Sequence, residues 1–561
     1  MILAKLNLPE FEYDIHSLIK AFYPEQNVSA TAEEKEYDEE IIWCLDIEYA
    51  PEQINIVLSE ATQVAWDSCA DNTSGDMIEG NKVTVDVSAS TAEVIFEEKM
   101  TEQFAVDFSD RKETKNRLKQ HLYEMLSRYS GKELPWGTLT GIRPTKIPMK
   151  LLEEGKKREE IAQYMKDTYF ASDEKINLSI DIAERELKLL QKIDYENGYS
   201  LYIGIPFCPT TCLYCSFTSY PLSMWRNQVD AYLDALEKEI QFVSVKFYHK
   251  KLNSIYIGGG TPTTLEPHQL DRLIRKIRCS FDLSHCVEFT VEAGRPDSIT
   301  REKLEVLYKW GIDRISINPQ TMKDETLKLI GRHHTVAQTI ESYKIAREIG
   351  FDNINMDLIL GLPGETLEDV RNTMEQVKEL NPDNLTVHSL ALKRAARLNI
   401  CKDEYKDFEM VNTQEHMDLV YSYCKELDLR PYYLYRQKSM AGNLENVGYA
   451  KSGKAGVYNI LIMEEKQTIM ALGAGATTKF VFKPDINEPE DTCCQMAKEN
   501  DSEVDLCLAK QTLMQKSKSV SSPLDMRMER VENVKDVQNY LERVDEMIKR
   551  KIRKMNEIGW K

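Results

Sequence analysis

From residue 201 onward, short apolar runs alternate with longer stretches whose apolar residues have helical spacing. In one such stretch the apolar positions are Val229, Leu233, Leu236, Ile240 and Val243. The runs predicted as strands are "LYIGIPF" (201–207), "SIYIGG" (254–259), "VEFTVEA" (287–293), "RISINPQ" (314–320), "NINMDLIL" (353–360) and "NLTVHSLAL" (384–392). Six strand–helix units predict an α/β fold with a parallel sheet and outer helices, either doubly wound or curled into a partial barrel. In both forms, chemistry gathers at the C-terminal strand ends.

The same reading divides the whole chain into domains. We predict an N-terminal α+β accessory domain (1–110), a helical connector (111–195), the sheet-forming domain (196–410), a C-terminal segment (411–483), a polar insertion or linker (484–522) and a C-terminal helix (523–561). Within the connector, the loop "GTLTGIRPTKIP" carries Arg143 and Lys146. That loop is either a simple connection or a contact for an anion.

The charge and apolar content of the chain argue against two classes of protein, those that bind nucleic acid and those that span a membrane. The net charge of −20 argues against nucleic acid as a partner, since such proteins normally present a basic face. No apolar run approaches the roughly 20 residues of a membrane span, so we expect no stable membrane insertion. The first residues lack the pattern of a signal peptide, and twelve scattered cysteines suit reduced thiols. We therefore expect a cytoplasmic protein.

Three cysteines stand close together in "FCPTTCLYCSF" (207–217), directly after the first predicted strand. Cys208, Cys212 and Cys215 form a C-x3-C-x2-C pattern. A structural zinc site needs four ligands, disulfides need an even count, and ferredoxin spacings need a fourth cysteine. Three thiolates suit a [4Fe–4S] cluster whose fourth iron stays open for a ligand. The alternative is a zinc site completed by a distant histidine, since none lies between Tyr202 and Phe242.

A glycine run, "GGGTPT" (258–263), ends the second predicted strand. A phosphate-binding loop would continue into Gly-Lys-Ser/Thr, and this run does not. Glycines without Cβ atoms would instead let a small ligand approach the backbone. The run is a weak signal alone and a strong one beside the cysteine triplet.

Together with Tyr214 before the last cysteine, these motifs resemble the radical S-adenosylmethionine (SAM) superfamily. The resemblance implies a partial (β/α)6 barrel in which the open iron holds the amino and carboxylate groups of SAM. One electron from the cluster then cleaves SAM to a 5′-deoxyadenosyl radical, which removes hydrogen from unactivated carbon. The missing cluster ligand is, on this interpretation, the cofactor itself.

From about 200 to 395, and more faintly to about 480, the chain resembles the oxygen-independent coproporphyrinogen III oxidase group. The residues that match this family's contacts to the cluster-bound SAM are Tyr202, Tyr214, Gly259, Gly260, Thr261 and Glu292. Those that match its pocket for a second SAM are Gln320, Arg332, Asp357 and Ala391. Taken singly, Glu292 or Asp357 could be a helix-capping carboxylate. As a spaced set, they predict cofactor contacts.

Three phrases, "GTLTGIRPTKI", "VHSLALKRA" and "YYLYRQKSMAGNLENVGYA", resemble the HemZ, or coproporphyrinogen dehydrogenase, branch of this group. One departure concerns the position two residues after the third cysteine. The best-characterised oxidases have a further cysteine there, whereas this chain has Phe217. The same ending occurs in a related subgroup of heme chaperones, so the resemblance leaves both functions open.

A basic cluster follows the sixth predicted strand. The residues predicted to bind the carboxylates of a substrate are Lys393, Arg394, Arg397 and Arg436. Guanidinium groups bind carboxylates bidentately, and the neighbouring Tyr432, Tyr433 and Tyr435 could cover a flat macrocycle. We therefore expect segment 411–483 to cover the substrate. The alternative is a solvated basic turn, with the Arg143 and Lys146 loop as the next candidate site.

The resemblance implies a radical SAM oxidoreductase of heme and porphyrin biosynthesis that converts two propionates of coproporphyrinogen III to vinyls, giving protoporphyrinogen IX. It implies a [4Fe–4S] cluster, SAM with a pocket for a second molecule, and a low-potential electron donor such as flavodoxin or ferredoxin. The alternatives are a heme-binding chaperone on the same scaffold and a radical SAM enzyme acting on another tetrapyrrole.

Overall fold

The computed structural model of the chain describes residues 1–33, 35, 37, 39–66, 82–87, 90–141, 143–391, 398, 411–437, 444–482 and 527–560. For residues 62–66, 82–87 and 90–95 it describes the backbone alone. The chain divides into two compact units. The first includes Met1–Gly141 and Lys157–Asn177, and the second includes Ile142–Lys156, Leu178–Asn487 and Ser522–Lys561.

The strands are, in chain order, β1 (Ile2–Leu6), β2 (Val28–Thr31), β3 (Trp43–Ala50), β4 (Gln53–Trp66), β5 (Lys82–Val87), β6 (Ser90–Ala105), β7 (Gly198–Ile205), β8 (Phe207–Cys208), β9 (Tyr220–Pro221), β10 (Lys251–Gly259), β11 (Glu288–Gly294), β12 (Arg314–Ile317), β13 (Ile354–Leu360), β14 (Asn384–Ser389), β15 (Arg430–Tyr435), β16 (Asn446–Ala450), β17 (Thr468–Leu472), β18 (Thr477–Phe482) and β19 (Arg527–Glu532).

The α-helices are α1 (Glu12–Phe22), α2 (Arg111–Ser130), α3 (Lys146–Glu153), α4 (Arg158–Tyr169), α5 (Asp173–Leu190), α6 (Leu222–Trp225), α7 (Val229–Lys246), α8 (Pro267–Ser280), α9 (Arg301–Lys309), α10 (Asp324–Leu329), α11 (Val336–Ile349), α12 (Leu367–Leu380), α13 (Gln414–Glu426), α14 (Val457–Glu464) and α15 (Val537–Glu557). Short 3-10 turns span Arg226–Gln228, Pro262–Thr264 and Pro296–Ser298. Among the described helices, none has the length and apolar character needed to cross a membrane.

The first unit is built on a six-stranded sheet with the order β2-β1-β3-β4-β6-β5. Strand β1 runs parallel to β2 and β3, and the remaining pairs are antiparallel. Helices α1 and α2 pack against each other over a core that includes Ile15, Leu18, Trp43 and Leu122. Helix α2, which begins the segment predicted as a connector, thus packs within this unit.

The second unit contains the six predicted parallel strands, and their spatial order is their chain order. Strands β7, β10, β11, β12, β13 and β14 pair successively and in parallel. A doubly wound sheet requires the strand order to reverse at a switch point. Here every crossover steps in the same direction, which puts the connecting helices on one face and favours a curled sheet. The predicted α/β fold is confirmed, and its form is a partial barrel.

The barrel stays open because its two outer strands pair with other elements. Strand β14 pairs antiparallel with β16, which pairs with β15, while β7 pairs in parallel with β17. The hairpin of β17 and β18, followed by β19, completes a sheet of eleven strands in the described part of the chain. Segment 411–483 therefore extends both edges of the barrel sheet.

A buried ion pair fixes the C-terminal helix to the barrel. Glu239 on α7 and Lys551 on α15 are both fully buried and bind each other. The same carboxylate accepts hydrogen bonds from the Tyr540 hydroxyl (2.6 Å) and from the backbone N–H of Gly473 (2.8 Å). Gly473 directly follows β17, so this cluster also fixes β17 beside the first barrel strand.

Candidate cofactor and substrate site

A cavity of about 290 Å³ lies inside the curved sheet. Side chains alternate between the two faces of a strand, so inward-facing residues are two positions apart. On β13 these residues are Asn355 and Asp357, and on β14 they are Thr386 and His388. The loop after β7 contributes Cys215 to the wall at the C-terminal end of the strands. The predicted location of the chemistry is therefore also the location of the cavity.

Backbone hydrogen bonds hold the cysteine loop in place. The Thr261 N–H donates to the Phe207 carbonyl (2.7 Å), and the Leu213 N–H donates to the Ile330 carbonyl (3.0 Å). These bonds fix the loop on both sides of Cys208 and Cys212, whose side chains are buried. The loop is thus anchored independently of anything that its thiols bind.

The three thiols interact electrostatically. Burial raises the pKa of Cys208 to about 11, the Thr261 hydroxyl 3.5 Å from its sulfur lowers it, and Cys212 and Cys215 raise it further. Burial likewise raises the pKa of Cys215. The Arg295 guanidinium, 3.7 Å from the Cys212 sulfur, provides a nearby positive charge. Binding of metal would replace the protons of these thiols.

The arrangement suits a cluster more than a single ion. In the described part of the chain, no three His, Cys, Asp or Glu side chains converge in the way that one metal ion requires. In an iron–sulfur cluster each thiolate binds a different iron, so its ligands surround a larger group than one ion. Three thiols are the protein donor set of such a cluster, and their assignment to it stays the prediction made from the sequence.

The glycine run packs against the cysteine loop. A Cβ atom at Gly260 would lie 2.7 Å from the Phe207 carbonyl oxygen and 3.0 Å from the Cys208 sulfur. A Cβ atom at Gly258 would lie 2.9 Å from a carboxylate oxygen of Glu292. The sequence interpretation assigned this space to a ligand. The structure shows that at these two positions it accommodates the cysteine loop and Glu292.

Glu292 is a buried carboxyl group on the cavity wall. Burial raises its pKa to about 7, although the Tyr256 hydroxyl, which donates to it at 2.5 Å, opposes the shift. The ring of Tyr256 stacks on Tyr458 with 4.5 Å between centroids and, further away, on Tyr202 at 6.3 Å. The Glu292 carboxyl group is thus buried against a stack of aromatic rings.

Gln320 and Asp357 lie together, as the sequence predicts. The Gln320 N–H donates to the Asp357 carbonyl (2.9 Å) from a left-handed backbone conformation with φ of 71°. The Asp357 carboxylate accepts from the Asn355 amide (2.7 Å), and its other oxygen lies 4.0 Å from the His388 ring. Ala391 lines the same wall. These residues form one polar surface across β13 and β14.

Arg332 lies behind the cysteine loop and outside the cavity lining. It is buried and donates to the Asn318 carbonyl. Burial alone would lower its pKa, but hydrogen bonds and charge interactions with Tyr214 and Cys212 raise it. The guanidinium thus contacts the cysteine loop at Tyr214 and Cys212.

Of the four residues in the predicted basic cluster, the structure describes one. Lys393, Arg394 and Arg397 lie outside the described residues. Arg436 is 4% exposed, and burial lowers its pKa to about 10, with Glu445 opposing the shift. Arg436 is therefore a buried residue and not a solvated turn residue.

The aromatic segment and the connector loop are both described. Tyr433 and Tyr435 line the cavity, as expected, whereas Tyr432 is buried in an adjoining apolar cluster. Arg143 and Lys146 both bind Glu465, at 2.7 and 3.1 Å. Both basic side chains of that loop are thus engaged by a carboxylate of the chain itself, and an anion contact there stays a prediction.

Several buried polar atoms on the cavity wall have no hydrogen-bond partner in the described residues. They are Nε and Nη2 of Arg314, Oγ of Ser316, Oε1 of Gln320 and Nδ2 of Asn446. Buried polar groups are normally satisfied, so this wall is arranged for a polar ligand. It fits a molecule with amino, carboxylate and hydroxyl groups, as SAM has. Sequence reasoning missed Arg314, Ser316 and Asn446, although strand alternation marks the first two as sharing a face.

Known proteins resemble the chain over this region and beyond. The model of the radical SAM superfamily matches residues 202–377. The oxygen-independent coproporphyrinogen-III oxidase-like protein HemZ of Bacillus subtilis is 43% identical over 404 residues, which cover 71% of this chain and 81% of that protein. The heme chaperone HemW of the same organism is 41% identical over 198 residues, covering 35% and 51%. The solved coproporphyrinogen III oxidase HemN of Escherichia coli superposes with a TM-score of 0.43 at 26% identity, over 52% of this chain and 67% of that one.

Proposed function

The chain belongs to the radical SAM superfamily and, within it, to the HemZ group of oxygen-independent coproporphyrinogen-III oxidase-like proteins, and from this premise we propose that it oxidatively decarboxylates coproporphyrinogen III. Two propionate side chains would become vinyl groups, giving protoporphyrinogen IX. Superfamily members bind a [4Fe–4S] cluster and SAM. When bound and reduced, that pair supplies a radical able to remove a hydrogen atom from unactivated carbon.

The observation that carries the proposal is the shared cavity. The wall that Cys215 completes is the wall on which buried polar atoms lack partners. In this proposal Cys208, Cys212 and Cys215 hold the cluster. The residues that contact the first SAM are Tyr202, Tyr214, Gly259, Gly260, Thr261 and Glu292. Those assigned to a second SAM are Gln320, Arg332, Asp357 and Ala391, with Arg332 acting from behind the loop.

The reaction sets clear tasks for the protein. Each propionate loses one β-hydrogen atom, one CO2 and one electron, and a carbon–carbon double bond forms. The chain must therefore hold the β-carbon still, keep water from a reactive carbon and let the electron leave to an acceptor. Tyr256 lines the cavity, and its stacking on Tyr458 and Tyr202 would make it a rigid aromatic surface for the macrocycle. A low-potential donor such as flavodoxin or ferredoxin would supply the reducing electron.

A second candidate is heme binding without turnover. It is favoured by Phe217, which is 71% exposed two residues after Cys215 and also borders the cavity. An exposed aromatic ring at the cavity mouth could cover a heme as readily as a porphyrinogen. The similarity to the heme chaperone HemW points in the same direction.

One anaerobic experiment separates the two. The cluster-loaded protein is incubated with coproporphyrinogen III, SAM and a reductant, and CO2 and the product mass are measured. The proposed function predicts two CO2 for each protoporphyrinogen, with none released when SAM is omitted. Tight heme binding with no CO2 and unchanged substrate would replace the proposal by the chaperone. A product mass that corresponds to another decarboxylated or modified tetrapyrrole would mean that the enzyme acts on a different substrate.

A further inference from the structure

Arg314 occupies the end of the cavity opposite the cysteine loop. It is the first residue of β12, whereas the cysteines follow the C-terminal end of β7 in the same parallel sheet. Its side chain is 2% exposed and yet lines the cavity. The cavity therefore runs along the strands from Cys215 at one end to Arg314 at the other.

The guanidinium of Arg314 is not satisfied by its neighbours. In the part of the chain that the structure describes, Nε and Nη2 have no hydrogen-bond partner. Glu288 is nearby, but its carboxylate accepts from the Thr290 hydroxyl (2.8 Å) and from the Val457 N–H. The other groups that interact with Arg314 include the hydroxyl-bearing rings of Tyr432 and Tyr256 and the carboxyl of Glu292.

The charge of Arg314 persists despite its burial. Burial alone would lower its pKa, but Tyr432, Glu288 and Tyr256 raise it by more. A buried charged group with unmade hydrogen bonds is costly, so folding alone does not explain why this one is retained. Its Nε and Nη2 groups need hydrogen-bond acceptors, and this edge of the planar fork matches a carboxylate bidentately.

We infer that Arg314 receives a carboxylate of the ligand that fills this cavity. The inference rests on the proposed function, whose substrate carries four propionates, of which two persist in the product. A retained propionate held at the Arg314 end would direct another side chain of the ring toward the cysteine end. The amino-acid carboxylate of SAM is the other source of the same chemistry. For the cluster-bound SAM this source is the less favoured one, because the cluster that would hold it follows the C-terminal end of β7. A second SAM would not be held by the cluster, and the SAM titration described below separates its carboxylate from a propionate.

The other charges on the wall make this site selective. Glu292 and Asp357 line the cavity between the two ends, and each, when ionised, disfavours a carboxylate beside it. Glu288, beside Arg314, has its carboxyl engaged by Thr290 and Val457. An anionic side chain is therefore stabilised at Arg314 and repelled along the middle of the wall. This pattern would fix the orientation of an asymmetric tetrapyrrole.

The test measures binding and needs no turnover. Coproporphyrin III, the aromatic form with the same four propionates, is titrated into the cluster-loaded protein and the Kd is read from its absorbance. Arg314→Gln should raise the Kd by about thirty-fold or more, since a buried charge pair is lost. Arg314→Lys should recover part of the affinity. The control Arg301→Gln alters a pair with Glu348 on the outer helices and should change nothing. The uncharged tetramethyl ester should bind equally to wild type and Arg314→Gln.

The possible results distinguish a failure of this inference from a failure of the proposed function. An equal Kd in wild type and Arg314→Gln overturns this inference and leaves the proposed function intact. No binding of coproporphyrin III to wild type overturns both. If Arg314→Gln binds SAM more weakly when SAM is the only ligand present, Arg314 holds the carboxylate of SAM, and the assignment of a propionate to Arg314 is wrong. Where Arg314→Gln fails to fold, phenylglyoxal modification of the wild type decides: coproporphyrin III should protect Arg314, and equal modification with and without it overturns the inference.

Discussion

Replacing Cys212 by alanine is expected to remove the iron from the anaerobically reconstituted protein and to reduce SAM cleavage to background. A cluster bound by three thiolates has no further protein ligand to compensate for the loss of one. The loop itself should remain, because the bond from the Leu213 N–H to the Ile330 carbonyl does not involve the thiol. Iron and sulfide content, the visible absorbance and the yield of 5′-deoxyadenosine measure the effect.

The matched control for this substitution is Cys279→Ala. Cys279 is an exposed free cysteine on α8 and should be replaceable with full iron content. Retention of a full cluster in Cys212→Ala would defeat the assignment of the three thiols. So would stoichiometric zinc in place of iron in the wild type.

Replacing Asp357 by alanine is expected to lower turnover by about a hundred-fold while the cluster stays intact. The Thr386 hydroxyl donates to the Asn355 side-chain oxygen (3.1 Å), and the Asn355 amide donates to Asp357 (2.7 Å). This chain of hydrogen bonds orients the carboxylate into the cavity. A misplacement of about 1 Å in a bound reactant can cost a hundred-fold in rate.

The control for Asp357 is Asp352→Ala. Asp352 is exposed and pairs with Lys454 at 3.0 Å, just before the same strand. It should retain normal turnover. Iron content, visible absorbance and the rate of product formation are measured for both variants. Unchanged product formation in Asp357→Ala would show that the carboxylate contacts neither SAM nor substrate.

The barrel strands could be predicted because short runs rich in apolar and β-branched residues alternate with longer stretches of helical spacing. The predicted run 353–360 is observed as Ile354–Leu360, and 254–259 lies within Lys251–Gly259. The run 314–320 ends early, at Ile317, since Pro319 has no N–H to donate and Gln320 has a positive φ. The choice between a doubly wound sheet and a barrel depended on strand order, which apolar runs do not encode.

Site residues could be predicted where the residue type itself indicates a chemical role. They could not be predicted where the role depends on contacts between residues that are distant in sequence. Three cysteines at fixed spacing predict a cluster site from sequence alone. Arg314 looks like any arginine at the start of a strand, and its significance appears only with its burial and missing partners. The pairing of Arg143 with Glu465 joins residues far apart in the chain, so the sequence left that loop open to two interpretations.

Transfer of deuterium from substrate to cofactor tests the central claim most directly. Coproporphyrinogen III deuterated at the propionate β-carbons is incubated anaerobically with SAM, reductant and the cluster-loaded protein, and the 5′-deoxyadenosine is analysed by mass spectrometry. Abstraction of the β-hydrogen predicts one deuterium in 5′-deoxyadenosine for each vinyl group formed. Deuterium-free 5′-deoxyadenosine beside a substrate that keeps all its deuterium and all four carboxylates would contradict the decarboxylase function.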